Sequence, residues 1–345
     1  MKFQRMSSKG IILILAVLLL SFVTTGILGS TYYVDSNSGD DNNDGLTPGT
    51  AWKTLSKVSS FTFQPGDRIL LKAGSVWNDR LVLHGSGSAE NPIILDMYGS
   101  GNKPIINGGG GATNEPAVLL ENEEYWEINN LEVTHTDGST GYQGDLWGIR
   151  INVNNGTEIN HIYIRNCYIH DVNGNVGTKK TGGIYVTAEG SSPAWYNDLR
   201  IENNRIANVG GLGIATQSSH ASMKSSTRYP FLNVVIRGNV VGPTGRNNVI
   251  VRASDNAIVE HNTLMESSRY DTGHSIFCFN SDNVIIQYNE AYGNSGPSSE
   301  VDRGGFDADY NCKNTKIQYN YSHDNNWAFG IMKRAINENV VIRYN

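Results

Sequence analysis

Short runs of β-branched and apolar residues recur through the second half of the chain, and each ends on an asparagine. The asparagine always comes three positions after an isoleucine or a valine, and from Asn239 onward successive ones are 23 to 31 residues apart. The six segments are Ile201–Asn204, Ile236–Asn239, Val259–Asn262, Ile286–Asn289, Ile317–Asn320 and Ile342–Asn345. A pattern that recurs every 20–50 residues or so is typical of repeat architectures, in which each repeat packs only on its neighbours. The pattern therefore predicts a solenoid.

The rest of the chain also consists of short strand-like runs separated by glycine, asparagine and proline. After residue 62 no stretch has the 3.6-residue apolar period of a long helix. Frequent short strands without helices indicate an all-β protein, and together with the repeat they favour a parallel β-helix over a sandwich. Asparagines stacked at one turn of successive coils would lie about 4.8 Å apart, so each amide can bond the next. We therefore interpret these asparagines as scaffold and not as site residues.

The N-terminal part predicts a leader and a cap. Residues 1–30 begin with lysines and an arginine, continue with an apolar run and end in small residues at a possible cleavage site. This is the pattern of a secretory signal peptide. Residues 31–345 would then form the β-helix, secreted or at the cell surface and free of the membrane once the leader is cleaved. Residues 31–66 would form its cap, in which Trp52, Leu55, Val58 and Phe61 predict one face of a short helix. Because the sequence stops at Asn345 partway through a coil, we expect a fragment or further modules beyond it.

Composition narrows the functional classes. The 345 residues carry a net charge of −6, with 17% charged residues, which argues against a nucleic-acid partner. Cys167, Cys278 and Cys312 are too few and too scattered for a disulfide framework or a zinc site, so we expect buried thiols. We expect a monomer.

Each repeat contains a second strand whose outward positions could bind a ligand. We align these strands from Gly148–Asn152 through Gly305–Asp309 to Gly330–Arg334, and the second and fourth columns are mostly apolar, as expected for a core. The third and fifth columns then point outward and mix rings, amides and charges, as a sugar polymer requires. The candidate substrate-binding residues are Arg150, Tyr185, Gln217, Arg252, Phe277 and Phe279.

Two aspartates on one of these strands are the sharpest chemical feature. Asp307 and Asp309 share a face about 6.6 Å apart along the strand, a spacing suited to the acid and base of glycoside hydrolysis. Asp324 and Arg334 complete the candidate catalytic set. Alternatively, Asp302, Asp307 and Asp309 could bind Ca²⁺, with an arginine or lysine as the base of an elimination reaction. In this register Lys333 would face the core, so either a bulge or a register slip is expected there.

The segments Ile285–Asn289 (IIQYN) and Lys316–Asn320 (KIQYN) resemble the right-handed parallel β-helix repeats of the pectate-lyase-like superfamily. Tyr32–Asp35, Asp44-Gly45 and Ala51–Leu55 resemble the N-terminal cap of secreted β-helix carbohydrate-active proteins. The resemblance implies a single-stranded right-handed parallel β-helix with a short N-terminal capping helix, and a substrate cleft on the outward face of one sheet. The motif set of polygalacturonases is absent, and no lysine–arginine pair of a lyase can be matched with certainty.

Together these observations predict a secreted enzyme that cleaves a polysaccharide, with hydrolysis favoured slightly over elimination. Two alternatives stay open: a Ca²⁺-dependent pectate- or alginate-type lyase, and a carbohydrate-binding or adhesin-like β-helix without catalysis. Apart from that Ca²⁺, the sequence implies no cofactor.

Overall fold

The chain winds through three parallel sheets in turn. The computed structural model describes residues 29–111, 114–139, 141, 144–221, 228–294, 296–297, 302–332 and 336–345. Within them the sheets have 13, 9 and 9 strands, and hydrogen-bonded neighbours come from successive coils. The predicted parallel β-helix is confirmed. The predicted signal peptide lies almost wholly outside these residues, and within them no helix is long and apolar enough to cross a membrane.

The first sheet contains the predicted ladder strands. They are Thr31–Val34, Arg68–Lys72, Ile93–Tyr98, Trp126–Asn129, Glu158–Arg165, Trp195–Glu202, Val235–Arg237, Ile258–Glu260, Ile285–Gln287, Lys316–Gln318 and Val341–Arg343, with Phe231–Leu232 and Ser254–Asp255 beside them. The second sheet contains the strands with the candidate site residues: Leu81–Leu83, Pro116–Glu121, Trp147–Val153, Gly182–Ala188, Leu212–Ser218, Val249–Arg252, Ile276–Phe279, Gly304–Ala308 and Trp327–Ile331. The third consists of Val76–Trp77, Ile105–Asn107, Glu132–His135, Tyr168–Val172, Arg205–Val209, Val240–Val241, Thr263–Met265, Glu290–Tyr292 and Tyr321–His323.

Apolar residues stack in columns inside the coils. On the second sheet, Ile149 pairs with Ile184, and Ile184 with Ile214, and all three are fully buried. Their neighbours along each strand point to the opposite face, because strand side chains alternate. The alternation thus sets which residues of the second sheet face outward.

The N-terminal cap contains a shorter helix than the apolar pattern predicts. The α-helix spans only Leu55–Ser59, with Leu55 and Val58 buried and the Thr54 hydroxyl accepting a hydrogen bond from the Lys57 N–H. Trp52 forms a β-bridge with Val34 instead of belonging to the helix. Pairing with the first strand therefore keeps Trp52 out of the helix, which begins three residues later at Leu55.

The asparagine ladder occupies the corner between the first and third sheets. Each side-chain amide donates to the carboxamide oxygen of the next asparagine at 2.9–3.1 Å, from Asn204 through Asn239, Asn262, Asn289 and Asn320 to Asn345. The same oxygen also accepts the backbone N–H of the preceding asparagine, as Asn262 Oδ1 does from Asn239 at 2.9 Å. The interpretation as scaffold is confirmed.

The residue before each ladder asparagine has a left-handed backbone. His261, Tyr288 and Tyr319 have φ between 55° and 57°, which is unusual for bulky side chains. Their rings stack on one another with centroids 5.2 and 5.3 Å apart. The ladder bonds and this stacking together offset the strain.

The three cysteines are buried thiols, as predicted. Burial raises the pKa of Cys167 to about 12, so this thiol stays protonated. Cys278 Sγ and Cys312 Sγ lie 3.3 Å apart without a covalent bond.

Replacing one ladder rung should destabilise the solenoid. Asn262→Ala removes the acceptor of two buried donors on Asn239 and the donor to the Ile236 carbonyl. The free energy of unfolding should fall by roughly 2–4 kcal/mol, since each unpaired buried group costs about 1–3 kcal/mol. Denaturant unfolding monitored by circular dichroism measures this change in stability. The control is Gln318→Ala, which removes a partly exposed amide. Equal losses for the two variants would contradict the role of the ladder.

Candidate active site

Three carboxylates meet near the last strands of the second sheet. Asp307 lies on strand Gly304–Ala308, Asp309 follows it directly, and Asp302 precedes it. Phe306 and Ala308 face the core, so Asp307 and Asp309 point outward, as predicted. Asp307 is only 4% exposed, whereas 38% of the Asp302 side chain is exposed.

His274 links two of these carboxylates. Its Nδ1 accepts the Gly304 backbone N–H at 3.2 Å, so in the neutral ring the proton is on Nε2. Nε2 lies 3.7 Å from Asp302 Oδ1 and 3.8 Å from Asp307 Oδ2. Burial lowers the pKa of His274 to about 4, which keeps the ring neutral. The neutral His274 ring therefore lies next to both carboxyl groups, with its Nε2–H just beyond hydrogen-bond distance of each.

Burial and mutual repulsion keep the aspartates protonated to unusually high pH. Burial, with Asp309 and Asp302 nearby, raises the pKa of Asp307 to about 7. Burial also raises the pKa of Asp309 to about 6, opposed by the cations Lys179 and Arg252. A carboxylic acid that is still protonated near neutral pH beside a more acidic neighbour is the arrangement that acid–base catalysis requires.

Lys179 lies on a loop, near enough to the carboxylates for its charge to act on them without an ion pair. Residues 173–181 connect the strands Tyr168–Val172 and Gly182–Ala188 and fold over the second sheet. The loop is held there because the Lys179 carbonyl accepts from Tyr185 Oη at 3.3 Å, and the Val176 carbonyl accepts from Arg246 Nη1 at 2.8 Å. The Trp147 indole N–H donates to the Lys180 carbonyl as well.

The loop covers part of the outward face of the second sheet. Two of the predicted substrate-binding rings, Tyr185 and Phe277, are 4% and 1% exposed, so the expectation that they form an open stacking surface is wrong. With Trp147 and Ile250 they form a second hydrophobic cluster between the sheet and the loop. Phe279 packs against this cluster and stays partly exposed.

A cavity of about 420 Å³ opens beside this cluster. The predicted residues Arg150, Gln217 and Arg252 line it, together with Tyr185 and Lys179. Arg252 Nη1 donates to Gln217 Oε1 at 2.8 Å, and its guanidinium lies 5.5 Å from the rings of both Phe277 and Phe279. The remaining lining residues are Asp145, Trp147, Thr178, Lys180, Glu189 and Ser219.

The predicted alignment of the outward strands holds as far as Asp307. Arg150 pairs with Tyr185, Tyr185 with Ala215, and Phe277 with Asp307. The last coil, however, is shifted by two residues, because Gly330 and not Met332 pairs with Asp307. One of the two expected outcomes near Lys333, a register slip, is therefore found. Lys333 and Arg334 themselves lie outside the described residues.

Asp324 does not join the carboxylate cluster through any contact among the described residues. It lies in the turn after strand Tyr321–His323 of the third sheet, its side chain is 82% exposed, and it bonds His323 Nδ1 at 2.8 Å. The same contact joins Asp171 to His170 at 2.7 Å in an earlier coil. The structure thus places Asp324 in a turn interaction that is repeated in two coils, and not in the predicted catalytic set.

Trp327 is a site residue that sequence reasoning missed. Its ring centroid is 4.8 Å from that of His274. A Cβ on Gly330 would lie 2.9 Å from the Trp327 ring and 3.1 Å from Asp307 Oδ1, so only glycine leaves space there. The partly exposed indole therefore forms one wall beside Asp307. The sequence alignment missed Trp327 because it placed the last coil two residues out of register.

The arrangement of the carboxylates does not favour a Ca²⁺ site. Among the described residues, no group of three or more histidine, cysteine, aspartate or glutamate side chains is arranged to hold a metal ion. The predicted ligands Asp302, Asp307 and Asp309 instead have the positive charge of Lys179 nearby.

Comparison with known proteins agrees with the predicted fold and resemblance. The family model described as "Right handed beta helix region" matches residues 182–345. A GH136 lacto-N-biosidase structure from Eubacterium ramulus has a TM-score of 0.70 at 23% identity, covering 92% of this chain and 67% of that one. The pectate lyase Pel9A has a TM-score of 0.55 at 14% identity, covering 92% and 79%. The chain is a right-handed parallel β-helix.

A curated relative matches in sequence as well. Lacto-N-biosidase from Bifidobacterium longum subsp. longum is 27% identical over an alignment of 414 positions, which covers 93% of this chain. The chain spans only 26% of the length of that relative. The prediction of a glycan-cleaving β-helix, with hydrolysis favoured, is in line with these proteins.

Removing the Asp307 carboxylate should change the pH dependence of stability. An aspartate of the unfolded chain has a pKa of about 3.9, so between that pH and about 7 the folded group keeps a proton that the unfolded one releases. This group's contribution to stability is therefore fully present below pH ~4 and is lost as pH rises to about 7. Asp307→Asn abolishes that loss, so the variant should gain on the order of 2–4 kcal/mol relative to wild type between pH 4 and 8.

Thermal melts of both proteins across this pH range measure the difference, with Glu338→Gln at an exposed ion pair as the control. Parallel curves for wild type and Asp307→Asn would contradict the assignment of the raised pKa to Asp307.

Proposed function

We propose that this chain is a secreted glycoside hydrolase domain that cleaves a glycan at the Asp302–Asp307–Asp309 cluster. One observation carries the proposal: buried carboxyl groups with raised pKa values lie on the outward face of a β-helix sheet, near a cavity. The structure of one lacto-N-biosidase shares this fold, and the sequence of a second lacto-N-biosidase aligns along most of the chain. The name of both proteins denotes an enzyme that cleaves a glycan.

The aspartates have separable roles. Asp307, with the higher pKa, acts as the acid and donates its proton to the glycosidic oxygen as the bond from C1 to that oxygen breaks. Lys179 and Arg252 favour the ionised form of Asp309, so Asp309 supplies the carboxylate. It either attacks C1 or takes a proton from the water that does so. In the first case, water then displaces Asp309 from C1 and gives a proton to the Asp307 carboxylate. In both cases the oxygen of that water becomes the new hydroxyl on C1, and the leaving sugar keeps the proton that Asp307 donated.

Asp302 is the alternative acid. Its side chain is 38% exposed against 5% for that of Asp307, and both carboxylates lie within 4 Å of Nε2 of His274. A substrate can reach it directly, whereas Asp307 is almost covered. His274 acts as a positioning residue for whichever carboxyl group donates.

One observation favours a second candidate, a polysaccharide lyase. Burial, reinforced by Arg252 and Arg246, lowers the pKa of Lys179, and a lysine with a lowered pKa beside an arginine can abstract a proton. Lyases of this type break the bond by elimination and leave an unsaturated sugar end. Hydrolases leave only reducing ends, so the products distinguish the two.

Single substitutions should identify the catalytic pair. Asp309→Asn and either Asp307→Asn or Asp302→Asn should each lower kcat/KM by about 10²–10⁴, because positioned acid–base groups contribute that much. Lys179→Met should lower the rate less if the reaction is hydrolysis. Reducing-end assays and ultraviolet absorbance of unsaturated ends, on a panel of neutral and acidic glycans, measure both reactions.

The remote exposed Asp324→Asn serves as the control and should keep wild-type activity. Unchanged cleavage in all three site variants would overturn the catalytic assignment and favour a carbohydrate-binding β-helix instead.

The pH–rate profile should be bell-shaped, with its maximum between about 6 and 7. Activity should fall below the pKa of Asp309, about 6, as the carboxylate gains a proton. It should fall again above the pKa of Asp307, about 7, as the acid loses its proton. Because the groups interact, the two limbs report the pair and not one residue each. In Asp307→Asn the alkaline limb should disappear from the residual activity; its persistence would favour Asp302 as the acid.

A further inference from the structure

The cavity lined by Lys179 and Arg252, the two cations whose charges act on Asp309, has more positive than negative charge on its walls. Arg150 and Glu189 form an ion pair at 3.1 Å. The other charged groups that line the cavity are Lys179, Lys180 and Arg252 against a single acid, Asp145. An excess of positive charge inside a concave site favours an anionic ligand.

Two of these cations have no carboxylate partner. Within the described part of the chain, the ion pairs include neither Lys179 nor Arg252. Lys179 Nζ lies over the Phe277 ring at 4.9 Å, and the hydrogen-bond partner of Arg252 is the neutral amide of Gln217. Burial, reinforced by the charges of Arg252 and Arg246, lowers the pKa of Lys179, so an arriving anion would relieve unfavourable repulsion.

Unpaired polar atoms point to the same site. Arg150 Nε, Thr178 Oγ1 and Arg252 Nε are buried without a hydrogen-bond partner among the described residues, and all three residues line the cavity. Buried polar atoms normally have partners, so their concentration at one cavity calls for a ligand or ordered water. Trp147 and Tyr185 add aromatic surface to the same walls.

We propose that this cavity is a subsite for a sugar unit that carries a negative charge, either a carboxylate or a sulfate ester. The charged group lies between Lys179 and Arg252, and the sugar ring occupies the rest of the cavity, beside Arg150 and Gln217. A volume of about 420 Å³ is within the range of small-ligand sites. The inference builds on the proposed function, because it describes the glycan that the neighbouring carboxylates would cleave.

Binding of small sugars tests the proposal without turnover. Tryptophan fluorescence titrations of the wild-type chain use D-glucuronate, D-glucose 6-sulfate, D-glucose and inorganic sulfate. At least one of the two charged sugars should bind roughly tenfold or more tightly than glucose and than sulfate alone. The sugar that binds more tightly identifies the anionic group. Its affinity should fall with added sodium chloride, a test that needs no variant.

Arg252→Gln and Lys179→Met should each weaken charged-sugar binding by roughly tenfold or more while leaving glucose binding unchanged. Lys316→Met, an exposed lysine of the first sheet, should have no effect. Equal affinities for glucuronate, glucose 6-sulfate and glucose would overturn the proposal, as would sulfate alone binding as tightly as the charged sugars.

These outcomes are separable from the proposed catalysis. If Asp309→Asn abolishes cleavage and still binds the charged sugar, both proposals stand. If the chain cleaves only neutral glycans and binds no charged sugar, the subsite fails and the hydrolase stands. If charged sugars bind and no glycan is cleaved, the subsite stands and the hydrolase fails.

Discussion

The hydrogen bond from one asparagine amide to the next is the interaction on which the rest of this solenoid depends. It connects coils at a corner where the backbone must turn, and the same carboxamide oxygen also satisfies a buried N–H. Because every rung has the same geometry, each coil follows its neighbour in register. The outward columns of the second sheet are consequently straight rows, and the chemistry on them is set by which residue occupies each row position.

Much of that register can be predicted from sequence. Strand side chains alternate, and the ladder marks each coil from Asn204 onward, so the apolar pattern is enough to align Arg150, Tyr185, Phe277 and Asp307. The alignment fails at Gly330, because a shift of two residues keeps every side chain on its original face and so leaves the apolar pattern intact. Only the packing of Trp327 against Gly304 and Gly330 shows which alignment is right.

What sequence could not provide is the contribution of residues that reach the site from elsewhere. Lys179 comes from a loop, and His274 comes just before a strand in the preceding coil. The closeness of Lys179 to Asp307 depends on how this loop folds over the sheet, and no periodicity encodes that. The position of His274 beside Gly304, by contrast, follows from the register that pairs Phe277 with Asp307. One signal was nonetheless present: Trp147, Tyr185, Ile250 and Phe277 are too many large apolar residues for an exposed face, and together they require a cover.

The loop over residues 173–181 gives this architecture a way to change its ligand without changing its frame. Substitutions within a coil must respect the core columns and the ladder, and a misfit there disturbs both adjacent coils. A connection between two strands has no such constraint, since loop length is tolerated at small free-energy cost. Lengthening or shortening this one connection would move Lys179 and uncover the rings below it. In a solenoid of this kind, new binding preferences can arise at the connections while the coils beneath stay the same.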